Sequence, residues 1–153
     1  MSVTTATRRT TITTTARSAT ASLWRVGLAG AVLAAVATEV YTAVIRAAGV
    51  HLAIGNIGGT AKDVVEIGPG ACAIMVAMCV TAGLVIATGL NRWAQRPAHT
   101  FSVTAYVLTA LSVVPDAFAG ATATSSKLTL IGAHVIAAAI VIPLVTRTLK
   151  PER

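Results

Sequence analysis

The hydrophobic pattern of this chain consists of long unbroken runs rather than alternation. Residues 26–45 are interrupted only by Glu39; residues 67–90 hold no charge; residues 101–120 contain Asp116; residues 128–146 contain His134. Each run is close to the ~20 residues that an α-helix needs to cross a ~30 Å hydrocarbon core. Alternating strands of a membrane β-barrel would come in segments of roughly ten residues, whereas these runs are continuous and rich in Ala. The pattern therefore predicts four transmembrane helices in an antiparallel bundle, an all-α integral membrane fold over residues 23–149. Pro69 falls in the first turn of the second run, where a missing N–H is harmless, while Pro115 and Pro143 fall inside their helices and predict kinks there.

Before the first run stands a Thr-rich stretch with Arg8, Arg9 and Arg17 and no acid. It has too little apolar content to bury itself, so residues 1–22 read as a disordered tail. Its basic, acid-free character is also that of an organelle transit peptide, though no amphipathic helix is evident in it. The first apolar run is longer than the 7–15 residues of a cleavable signal and reads as an anchor that stays in place. Residues 150–153 form a short second tail.

Composition agrees with this and narrows the function classes. The chain is 55% hydrophobic and 11% charged, with a mean hydropathy of +0.78. A soluble domain carries about 25% charged residues, so this is neither a water-facing globule nor a disordered chain. The net charge of +7 would suit nucleic acid, but the cations flank the apolar runs and no helix-turn-helix, zinc-finger or RNA-recognition pattern accompanies them. With the N-terminus inside, nine cations (Arg8, Arg9, Arg17, Arg25, Arg92, Arg96, Arg147, Lys150, Arg153) lie on the inner side and three (Arg46, Lys62, Lys127) on the outer. That bias places both termini in the cytoplasm, with Trp24 and Trp93 at the inner interface. The outer loop over residues 47–66, with Gly55, Gly58 and Gly59, reads as a flexible connector, since it has no phosphate-binding spacing.

Helix association in lipid needs close approach of small residues. The first run offers Gly27, Gly30, Ala31, Ala34 and Ala35, and the fourth offers Gly132, Ala133, Ala137, Ala138 and Ala139. Cys72 and Cys79 sit about 10 Å apart along one helix, too far for a disulfide, and read as small apolar residues.

Ionisable groups in hydrocarbon are costly, so Glu39, Asp116 and His134 are the candidate functional residues, an intramembrane polar cluster in the outer half of the bilayer. Arg46 lies seven residues beyond Glu39 on the same face and about 10 Å higher, which predicts an electrostatic influence but no direct bond. Thr38, Tyr41 and Thr42 surround the acid. Two carboxylates and one imidazole lack the ligand spacing of a metal site, and no catalytic triad, nucleophile elbow or zinc-protease motif is present, so no cofactor or metal is expected. The three residues either hold the helices in register or carry protons or ions; a catalytic acid–base pair is a further possibility.

The segments 46–50 (RAAGV), 111–115 (LSVVP), Ala133-His134 and Ile142-Pro143 resemble a family of small actinobacterial four-span membrane proteins of unknown function. The resemblance covers residues 23–147 and implies a four-helix bundle in a bacterial inner membrane, without an activity. Ala37-Thr38-Glu39-Val40 is also similar to the acid-bearing first helix of small multidrug transporters, but this chain is longer, 4% aromatic and strongly biased in its cations. Antiparallel pairing of copies and aromatic cation stacking therefore do not follow. The expected function is that of a non-enzymatic accessory or interaction protein of the membrane, its partners the lipid bilayer and a second copy or another membrane protein, with no nucleic acid. The alternatives are a proton- or ion-coupled transporter built on Glu39, Asp116 and His134, and an enzyme acting on a lipidic substrate.

Overall fold

A computed structural model describes the backbone of residues 4–149 and the side chains of residues 21–149. Four helices make up the fold: α1 (Thr4–Ala47), α2 (Ala71–Trp93), α3 (Pro97–Phe118) and α4 (Thr124–Thr146). The apolar stretches Ala21–Ala47, Ala71–Trp93, Pro97–Phe118 and Thr124–Thr146 are all long and apolar enough to cross a membrane. The expected all-α membrane bundle is the observed one, with boundaries moved by a few residues. Helix α3 starts earlier than expected because Pro97 occupies its first turn, where fixed φ and a missing N–H suit a helix start. Helix α2 starts later, since Gly68-Pro69-Gly70 breaks the run and Gly70 adopts a left-handed φ of 84°. Pro69 therefore precedes α2 rather than lying in its first turn.

Helical backbone continues through the Thr/Arg-rich segment as far as Thr4, as an extension of α1. Nucleating a helix is the expensive step, and a segment contiguous with an existing span needs only propagation.

Small residues set the packing. The buried stripe of α1 runs through Leu23, Gly27, Gly30, Ala34, Thr38 and Thr42, spaced three or four apart as one helix face requires. Leu84 of α2 fills the space that a side chain at Gly27 would need, Leu144 of α4 packs at Gly30, and Tyr41 of α1 packs at Gly132. Helix α1 thus lies against α2 and α4, and α3 packs mainly on α4. Val32, Val36, Val40 and Val44 form a row on the other side of α1 and are more than half exposed, an apolar face suited to lipid and unsuited to water.

The segment between α1 and α2 is an ordered cap rather than a flexible connector. Strand β1 (Ala53–Ile54) pairs antiparallel with β2 (Val65–Glu66), and Leu52 beside them is buried. The cap docks on the α3–α4 turn: Gly120 N–H donates to the Asn56 carbonyl (2.9 Å) and Gly58 N–H to that of Phe118 (3.3 Å). Gly55 N–H donates to Thr122 Oγ1 (2.9 Å) and Ser126 Oγ to the His51 carbonyl (2.8 Å). A side chain at Gly120 would run into the backbone of Gly59, so glycine permits this approach.

Candidate functional site

The polar side chains at the cap end of the bundle come from all four helices. Glu39, Thr38 and Thr42 project from α1, Cys72 from the first turn of α2, Asp116 from the end of α3 and His134 from α4. Both threonines are fully buried and satisfy their hydroxyl protons on their own helix: Thr38 Oγ1 donates to the Ala34 carbonyl (2.8 Å) and Thr42 Oγ1 to that of Glu39 (3.1 Å).

Glu39 and Arg46 form a direct ion pair, Nη1 to Oε1 at 3.4 Å. The expectation of no direct bond is corrected here: two long side chains close a gap that helix rise alone leaves open, and helical side chains lean toward the N-terminus. The other end of the guanidinium holds the strap that leads into α2, with Nη2 donating to the carbonyls of Ile67 (3.2 Å) and Gly68 (3.1 Å). Glu39 Oε1 also accepts the Gly70 N–H at 2.7 Å. The carboxylate therefore sits at the N-terminal end of α2, where unpaired N–H groups favour negative charge.

Asp116 and His134 form the second pair. Asp116 is 5% exposed, and its Oδ2 lies 3.2 Å from His134 Nδ1. Nδ1 is also 2.9 Å from the Leu130 carbonyl oxygen. A carbonyl cannot donate, so Nδ1 carries the proton and points it at Leu130, leaving Asp116 Oδ2 off the N–H axis. Among the described residues Glu39 Oε2 and Asp116 Oδ2 are buried without an aligned hydrogen-bond donor. Cys72, in the first turn of α2, is half-buried. The predicted cluster is thus a Glu39–Arg46 ion pair and a separate Asp116–His134 contact.

Over residues 18–151 the chain matches a family described as DUF6069, a family of unknown function. The chain belongs to this family. Glu39, Arg46, Cys72, Asp116 and His134 all fall inside the matched region, while most of the Thr/Arg-rich segment precedes it. No curated protein and no solved structure matches the chain.

Sequence reasoning missed three parts of this site. The carbonyls of Ile67 and Gly68 and the N–H of Gly70 are backbone groups, invisible to a search for side-chain motifs. Their only signal was the Gly-Pro-Gly break, which frees backbone groups wherever it falls. Among the described residues no group of three or more His, Cys, Asp and Glu is placed to hold a metal ion.

Proposed function

We propose that this multi-pass protein acts without catalysis, as an accessory or interaction protein of a bacterial cytoplasmic membrane, with both termini in the cytoplasm. The observation that carries this reading is that both membrane acids tie elements together. Glu39 and Arg46 join α1 to the strap before α2, and Asp116 with His134 joins α3 to α4. Polar contacts of this kind hold helices in register, each a modest ~0.6 kcal/mol on average in lipid. The apolar rows outside the bundle are then left for lipid, a second copy or another membrane protein. The source and orientation rest on the family resemblance and on the distribution of cations.

The two orphan carboxylate oxygens favour a second reading, proton- or ion-coupled transport through Glu39, Asp116 and His134. Reconstitution into liposomes holding a pH-sensitive dye separates the two. The accessory reading expects flux no greater than that of empty liposomes. A flux that disappears in Glu39→Gln overturns it in favour of transport, and a flux that survives that substitution removes coupling through Glu39.

A further inference from the structure

Beside its contacts with the α3–α4 turn the cap keeps apolar surface uncovered. Ile57 and Val65 are each more than half exposed, although the backbone around them is tied down through Asn56, Gly58 and Gly120. Both side chains line a cavity of about 520 Å³ together with Ile54 of the cap and Pro115 of α3, a volume inside the ~300–1,000 Å³ range of small-molecule sites. The lining is mainly apolar, and its two polar residues, Asn56 and Asp63, are engaged within the fold. Asp63 Oδ2 accepts from the Thr60 N–H and hydroxyl, and the Asn56 carbonyl accepts from Gly59 and Gly120. What the cavity offers a ligand is therefore apolar contact more than hydrogen bonding.

Its position sets what meets it. Pro115 lies three residues before the end of α3, about 4.5 Å along the axis, so the cavity stands at the edge of the span. Leu111, Pro115 and Phe118 share one face of α3, being four and three residues apart, and Leu111 and Phe118 are more than half exposed. The apolar lining is thus continuous with the surface that this membrane-spanning helix presents to lipid.

We propose that the cavity is a binding site for a two-chain membrane phospholipid, with one acyl chain among Ile54, Ile57, Val65 and Pro115 and the other along Leu111 and Phe118. An ordered water needs ~2–4 polar partners, few of which this lining offers, whereas hydrocarbon gains by leaving water for it. The second chain on α3 gives a phospholipid more apolar contact than a single-chain detergent. The site uses neither Glu39 nor the Asp116–His134 contact, so it stands apart from both functional readings.

The full chain in maltoside micelles is irradiated with a phosphatidylcholine that carries a diazirine in one acyl chain, at rising lipid fraction, and labelled residues are mapped by mass spectrometry. Labelling of Ile54, Ile57, Val65 and Pro115 should saturate. Labelling of the exposed row Val32, Val36, Val40 and Val44 should instead rise in proportion to lipid. Val65→Asp puts a charge on the apolar lining and should raise the half-saturating lipid fraction about tenfold, equivalent to about 1.4 kcal/mol. Ile57→Asn carries the same test if that variant does not fold. Labelling of the cavity in proportion to lipid, as at the valine row, overturns the site, and so does absence of label there. Half-saturation unchanged in both variants overturns the assigned lining. Labelling that falls as protein concentration rises at fixed lipid fraction means that a second copy covers the cavity, and overturns the ligand.

Discussion

Gly27 shows how much a single missing side chain decides in this bundle. Leu84 occupies the position that a Cβ at Gly27 would take and is itself buried, so it has little room to swing away. Gly27→Val should cost about 1–3 kcal/mol through overpacking, read as a lower midpoint in thermal or SDS unfolding; an unchanged midpoint would mean that α1 and α2 do not meet here. In the cap, Asp63 Oδ2 accepts from the Thr60 N–H (2.8 Å) and the Thr60 hydroxyl (2.9 Å). The Thr60 backbone and hydroxyl bonds hold its carboxyl below the ordinary value of 3.8. A depressed folded pKa means that the carboxylate supports this turn above the ordinary Asp range, and that the support is lost as pH falls through the lowered value. Exchange protection of the Thr60 amide should be present at neutral pH and disappear in acid, and Asp63→Ala should abolish it throughout.

Among the elements, the cap and its strap connect residues far apart in the chain. Gly120 lies against the Gly59 backbone, and backbone cannot move aside as a flexible side chain can. Gly120→Ala should lift the cap from the α3–α4 turn at a cost of about 1–3 kcal/mol, with faster proteolysis of the segment between α1 and α2 as the readout. Arg46→Ala removes the pair with Glu39 and both bonds to the strap. If that clamp is worth about 1.4 kcal/mol, local opening rises about tenfold, and Cys72 should alkylate correspondingly faster in a Cys79→Ser background. An unchanged rate would show that the cap is held by its contacts with α3 and α4 alone. The four helices were legible in the apolar runs, because twenty contiguous apolar residues have few other uses. The cap was not, since two-residue strands and glycine contacts leave no periodic signal.

At the scale of the whole molecule, the proposed orientation, with the cap outside and both ends inside, is argued from the distribution of Arg and Lys. A single cysteine at Gly58, where nothing crowds an added side chain, should react with an impermeant maleimide added to intact cells, in a chain with Cys72 and Cys79 replaced by Ser. Labelling only after the membrane is opened would reverse the orientation. Gly58 itself has a φ of 66°, so Gly58→Asp, also mildly acceptable in left-handed backbone, provides a control for strain at this position.

The sequence by itself determined the solvent, the number of spans and the acids worth attention, because the cost of putting polar groups in hydrocarbon acts on each residue separately. It also marked the small residues that let helices approach. Tertiary structure decided which acid meets which base. Glu39 took Arg46 from its own helix and Gly70 from the strap, while Asp116 took His134, a division that depends on side-chain reach and on the angle at which α2 begins. The orphan oxygens are likewise a property of the assembled bundle, since whether a donor reaches a buried carboxylate is settled by geometry between elements.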